Sequence, residues 1–468
     1  MPVWLRRSCR LKQPRKVPAF TKHRSRAELS AAGKKLREKC PRSLHAAWKP
    51  PSHRPDPVAL ILEGDKGRLP ELVPIRHGRM LESPFTFYRG AALNMAEDLA
   101  HLPTTGVRVQ CCGDAHLVNF RGFGTPERRV NFDIHDLDET LPAPWEWDLK
   151  RLATSFVVAC RDNGFSKQCA EDAVLTCVRS YREHMAEFSK MNALDVWYAK
   201  LDAEDLVANM QDAEARHRVR KRIAKERARS VLEHDFPTLV HSRGESLRIK
   251  ENPPTIYHPK GTPVEVTTAF ARYRDSLRPS IRALLDRFEL KDIAIKVVGI
   301  GSVGTRCFAM LLMAGEKDPL FLQVKEARCS VLEAYAGKSV FANHGERVVN
   351  GHRLMQSASD IFLGWTVGRT GHHFYIRQLR DVKVKPMVEN FTPGSMVQFA
   401  EWCGHTLARA HARSGEPAVI SGYLGKSDAF DQAIAAFSVA YADQTERDHA
   451  ALEKAARQGR LEVLVERK

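Results

Sequence analysis

The chain has 468 residues, 43% apolar and 28% charged, the mix of a folded globular protein rather than one disordered throughout. It has no run of about 18 apolar residues, so no bilayer-spanning helix is expected. The basic start MPVWLRRSCRLKQPRK has no apolar stretch behind it, so no secretory leader is expected either. The formal net charge is +17, but it is unevenly placed: in residues 1–55 sixteen Lys and Arg face only Glu28 and Glu38, a net of +14. The body is nearly neutral, so nucleic-acid binding is not its business. Residues 1–57 read as a basic, disordered tail able to touch polyanions non-specifically. Ten cysteines form no CxxC pair, which argues against structural zinc and for a reducing, cytoplasmic location.

In chain order, residues 58–101 read as helical pieces, including the periodic run from Arg89 to Ala100. Val107–Cys111 and Arg129–Asp133 read as short strands around a loop marked by Gly122, Gly124 and Pro126. From Trp145 to about Arg229 the pattern is helical. Its last stretch, 216–229, holds eight Lys and Arg: a solvated helix face, or the wall of a pocket for an anion. Helical sequence returns near 265–288. Strand-like segments follow at Ile293–Val298, Thr305–Leu312, Leu320–Lys325 and Phe374–Leu379, and helices at 395–413 and 428–455. The expected division is 1–57 tail, 58–288 helical lobe with catalytic and metal-binding loops, 289–384 β-rich nucleotide lobe, and 385–468 helices packing back on the helical lobe.

The segment Cys112-Gly-Asp-Ala-His-Leu-Val-Asn-Phe precedes Phe132-Asp-Ile-His-Asp-Leu-Asp-Glu. Phosphoryl transfer needs one carboxylate to orient an attacking hydroxyl, and oxygen ligands to hold Mg²⁺ against nucleotide phosphates. Asp114 and Asn119 share one short loop, and Asp133 ends the next strand. This spacing, with Pro144-Trp-Glu-Trp-Asp-Leu beyond it, resembles the core of the aminoglycoside phosphotransferase and choline kinase group of protein-kinase-like enzymes. The resemblance implies Asp114 as the catalytic residue, Asn119 and Asp133 as metal ligands, and Asp148 as the buried brace of the loop. Cys112 stands where those families have His. Asp136 and Asp138 compete with Asp133 for the metal role; Asp133 is preferred because a strand end fixes it.

Gly299-Ile-Gly-Ser-Val-Gly lies between two strand-like runs, the setting in which kinase glycines cover ATP phosphates rather than open a dinucleotide-binding helix. Gly299, Gly301, Ser302 and Gly304 are therefore nucleotide-binding candidates. Leu322-Gln-Val-Lys resembles the kinase V-A-I-K, which implies that Lys325 meets the α/β-phosphates. Its carboxylate partner is expected on the next helix, Glu346 first and Glu333 second. Kinases carry these parts before the catalytic loop; here they follow it. His405–Ala412 resembles the helix that ordinarily precedes the catalytic loop, so the order reads as a circular permutation, with a hinge near 378–381.

The chain as a whole resembles the bacterial family of domain of unknown function 2252, grouped with the protein-kinase-like fold, through Arg79–Gly90, Cys112–Phe120, Asp138–Asp148 and Gly425–Asp431. Arg79 and Arg89 flank a Ser-Pro turn and either reach a phosphate or pair with carboxylates. The expectation is a two-lobed, kinase-like α+β phosphotransferase or nucleotidyltransferase that uses ATP and Mg²⁺ on an unidentified small-molecule or protein acceptor. Two alternatives stand beside it: a metal-dependent phosphohydrolase built on Asp114, His116, Asp133, His135 and Asp136, and a non-catalytic pseudokinase that only binds nucleotide.

Overall fold

The computed structural model describes residues 24–466 apart from 211, 229–235, 244–245, 259–263 and 380–381. The architecture is mixed α+β, with several antiparallel sheets beside a large helical body. Among the described residues no helix is long and apolar enough to cross a membrane.

The expected tail is corrected from Arg24 onward. Ser25 and Glu28 form a reciprocal capping box that starts the helix Arg26–Lys39. This helix packs on the helix Pro417–Leu424 so closely that a Cβ at Gly33 would stand 2.0 Å from the Val419 carbonyl oxygen, and one at Gly422 2.2 Å from that of Ser30. The basic residues of this segment have partners that composition cannot reveal. Arg37 donates to the Tyr423 and Gly422 carbonyls at 2.8 and 2.6 Å, and Arg42 to that of Leu424 at 2.7 Å. These are last-turn carbonyls, which have no acceptor role left inside their own helix and favour positive charge.

The helical body is built from Trp145–Asp162, Lys167–Phe188, Pro393–Ser414 and Ala429–Arg457, whose inner faces form the main core. Trp145 stacks on Tyr181 with ring planes 5° apart. The helix Trp145–Asp162 is buried from Trp145 to Cys160, which fixes the two polypeptide ends that carry the loops described below.

The largest sheet is antiparallel throughout and has six strands in the order Gly364–Val367, His373–Gln378, Pro319–Glu326, Cys307–Met313, Glu289–Lys296, Ile256–Tyr257. The Gly-rich turn joins its Glu289–Lys296 and Cys307–Met313 strands, as the alternation of strand-like runs predicts. A smaller sheet places Phe120–Gly124 between Lys383–Val384 and Val130–Ile134. Lys383–Val384 thereby ties the chain leaving the large sheet to the strand that follows the first loop. Residues 380 and 381 of the expected hinge lie outside the described residues.

Candidate functional site

The loop from Cys112 to Asn119 is held from behind. Asp148, in the first turn of the helix Trp145–Asp162, accepts the backbone N–H of Cys112 at 2.5 Å and of Gly113 at 2.9 Å. Gly113 is obligatory: its φ is +81°, and a Cβ would stand 2.4 Å from the Glu139 carbonyl oxygen. His411, from the helix Pro393–Ser414, sets Nε2 3.2 Å from Asp148 and is itself bonded to the Tyr181 hydroxyl at 2.9 Å. A histidine from a distant helix thus reaches the brace that Cys112 cannot make. Cys111, Asp148 and His411 lie close enough to share a metal, but the two backbone N–H groups already claim both Asp148 oxygens.

Within the loop, Asn119 Nδ2 donates to the Asp114 carbonyl at 2.8 Å, which locks the two candidates together. The Asp114 carboxylate accepts Arg151 Nε at 2.7 Å. Arg151 is anchored in turn on the Tyr88 carbonyl at 3.0 Å. Burial pushes the Asp114 carboxyl up, while Arg151 opposes the shift. Asp114 and Asn119 both line a cleft of about 760 Å³.

Asp133 does not. Its side chain is fully buried, accepts both the N–H and the hydroxyl of Ser357 at 2.8 Å, and is paired with Arg409, also fully buried. Asp133 has no exposed surface and faces Arg409 and Ser357 rather than the cleft, so it is a structural anchor between the Val130–Ile134 strand and the Pro393–Ser414 helix and not a metal ligand. The strand end that seemed to recommend it is what turns it inward. Of the three aspartates in this stretch, Asp136 and Asp138 line the cleft, beside Asp114 and Glu139.

Lys325 reaches the same place from the middle of the large sheet. Its Nζ lies 2.6 Å from Asp138 Oδ2 and 3.7 Å from Asp136 Oδ1, although 187 residues separate Lys325 from Asp138. Tyr375, its cross-strand partner, donates its hydroxyl to the other Asp138 oxygen. Burial alone would lower the Lys325 pKa, but Asp138, Tyr375 and Asp136 together raise it well above the ordinary lysine value. Burial would likewise raise Asp136, but Lys325 and Arg377 hold it well below the usual carboxylate range. Arg377 and Arg121 bond Asp136 at 2.9 and 3.0 Å.

The expected partner of Lys325 is therefore corrected. A helix, His344–Met355, does follow the lysine strand, but Glu346 sits in its first turn behind the Asn343 cap and does not line the cleft. Glu333 lies 3.9 Å from Arg347 Nε instead. The side this helix turns toward the site carries Arg347, which donates to the carbonyls of Thr140 and Asp138 and so holds the Asp138 segment in place. Cys329, Glu333 and His344 form a second group with metal-ligand spacing, but the Arg347 guanidinium already supplies the positive charge there.

Gly299, Gly301 and Ser302 line the cleft; Gly299 and Gly304 have φ of +66° and +85°. Ser302 Oγ is 3.5 Å from Asp138 Oδ2. The turn is clamped from outside: Arg68 donates to the Gly301 carbonyl at 2.8 Å, Leu69 N–H to that of Gly304 at 2.7 Å, and Arg79 to that of Gly299 at 2.5 Å. Arg79 also pairs with Glu466. Its role is structural, whereas Arg89 lines the cleft and pairs with no carboxylate among the described residues. Sequence reasoning missed Arg121, Arg377 and Tyr375, which lie on strands whose apolar neighbours mask them. For Asp136 and Asp138 the signal was there: an Asp-x-Asp pair just past a strand end escapes the pleat and can face solvent.

Neither a curated protein nor a solved structure matches the chain. A family model does, over residues 68–455, a span that includes every cleft residue discussed above. The chain therefore belongs to the DUF2252 family, described as an uncharacterized protein conserved in bacteria.

Proposed function

We propose that the chain is an ATP- and Mg²⁺-dependent phosphotransferase of protein-kinase-like design with its motif order circularly permuted. The observation that carries the reading is the meeting of Lys325 with Asp138 and Asp136 in the cleft that Asp114, Asn119 and the Gly299–Ser302 turn also line. Lys325 and the backbone of the turn would hold the nucleotide phosphates. Asn119, Asp136 and Asp138 supply the hard oxygen donors that suit Mg²⁺, which when bound neutralises phosphate charge.

Asp114 orients the acceptor hydroxyl and takes its proton. The acceptor oxygen's electron pair forms the new bond to the γ-phosphorus, and the bond from that phosphorus to the bridging oxygen breaks, its electrons leaving with ADP. The hydrolase alternative loses a member, because Asp133 is buried against Arg409. The free thiols suit a reducing compartment, the cytoplasm, as the place of action.

Mg-ATP should raise the melting temperature, since a ligand that binds only the folded state stabilises it. Lys325→Met should remove most of that shift. An unchanged melting curve at millimolar Mg-ATP refutes the reading.

A further inference from the structure

The cleft wall beside Asp114 carries polar and cationic groups whose hydrogen-bonding capacity the described residues do not exhaust. Arg89 closes the helix Pro84–Gly90 and makes no hydrogen bond or ion pair among the described residues; its guanidinium lies 5.8 Å from the Phe85 ring, and its Nε is buried without a partner. Its electrostatic neighbours are Asp114 and Arg121 first, then Glu82 and Glu389, none of them bonded to it. Arg121 spends Nη2 on Asp136 and leaves its own buried Nε unpaired. His116 stands beside Asp114, its Nε2 3.9 Å from Asp114 Oδ2, and its buried Nδ1 has no partner.

Three unsatisfied polar nitrogens on one wall are costly. Buried polar groups in folded proteins are almost always hydrogen-bonded, so these call for an explanation. Farther along the same cleft stands Arg222, from the basic helix Ala213–Ala228, again with no partner among the described residues. On the phosphotransfer reading Lys325 and the Gly-rich turn provide for the ATP phosphates; Arg89 meets that turn through its backbone carbonyl, while Asp114 is the foremost charge acting on its guanidinium.

We propose that Arg89, with Arg121 and His116, forms the acceptor subsite and that the acceptor is an anionic alcohol, its phosphate or carboxylate held by this wall and its hydroxyl presented to Asp114. The proposal rests on the phosphotransfer reading for the word acceptor, but the anion site itself does not. It also sets this chain apart from the enzymes its motifs resemble, since an aminoglycoside or choline is a cation and would be repelled here. Charge-assisted bonds from a guanidinium are the strong, orienting ones for such groups.

The test is a titration of the full chain with inorganic phosphate, without nucleotide, read by melting temperature, in the wild type, Arg89→Ala, Arg89→Lys and Lys325→Met. Phosphate should stabilise the wild type and Lys325→Met alike. Arg89→Ala should raise its dissociation constant at least about tenfold, and Arg89→Lys should recover part of the affinity. Glycerol 3-phosphate and glycerate in parallel separate a phosphate site from a carboxylate site, and choline should do nothing. A phosphate response that survives Arg89→Ala, or that vanishes in Lys325→Met, overturns the proposal, as does stabilisation by choline. The Mg-ATP titration is read separately, so failure of the nucleotide reading and failure of the anion site are distinct results.

Discussion

Two aspartates three and five residues past Asp133 show how little residue type says without direction. Asp133, with no exposed surface, has Arg409 and Ser357 on its oxygens; Asp138 keeps 27% of its side-chain surface and meets Lys325. The consequences of removing each charge should differ in kind. Asp133→Asn leaves the Arg409 guanidinium buried and unpaired, which costs about 3–5 kcal/mol, so urea unfolding should shift strongly. Asp138→Asn should keep a cooperative unfolding transition and lose the Mg²⁺-dependent part of the ATP-induced melting shift. An Asp133→Asn protein of normal stability that loses only metal dependence would return Asp133 to the metal site.

At the scale of elements, what was legible in the sequence follows from whether the signal is local. The strands on either side of the Gly-rich turn, the lysine strand and the long C-terminal helices carry their own periodicity, and they lie where it puts them. The N-terminal helix was hidden because charge dominates its composition, although Ser25 and Glu28 announce its start. Its partners are far away in sequence, Lys190 for Arg26 and Tyr423 for Arg37, and no local pattern encodes them. The closeness of that contact gives a sign test. In a solvated helix Gly→Ala gains about 1 kcal/mol. Here Gly33→Ala and Gly422→Ala should each lose about 1–3 kcal/mol, because a Cβ must displace backbone. His45, in the same segment, gives a second test. Burial, then Lys150, lowers its pKa to about 3, against about 6.5 in an unfolded chain. The neutral ring's stability is fully present above the unfolded value and is lost as pH falls toward the folded one. Between pH 7 and 5 that loss is about 2 kcal/mol. In His45→Gln the loss is absent, so the stability gap between wild type and variant should narrow by that amount over the interval.

Across the whole molecule, the cleft is assembled from parts that nothing local brings together. The Cys112–Asn119 loop hangs on the helical body through Asp148 and His411, and Lys325 stands in the middle of the large sheet. The two surfaces meet through ion pairs of Lys325 with Asp138 and Arg377 with Asp136, and the Gly-rich turn is pinned by Arg68, Leu69 and Arg79 from the segment before the loop. If one nucleotide lies between these surfaces, its binding must slow the opening of both. Hydrogen exchange of the full chain with Mg²⁺ and a non-hydrolysable ATP analogue should therefore show protection in two stretches at once, around 112–119 and around 299–304, with the Lys325 strand following. The helix Arg26–Lys39 packs on Pro417–Leu424, outside the cleft, and serves as the internal control, since local stability need not change where no ligand bonds are made. Protection confined to the Gly-rich turn would mean that the carboxylates serve a different ligand, and the permuted-kinase reading would then fail even with ATP bound. Protection of both stretches that is lost in Lys325→Met would tie the two halves to one bound molecule.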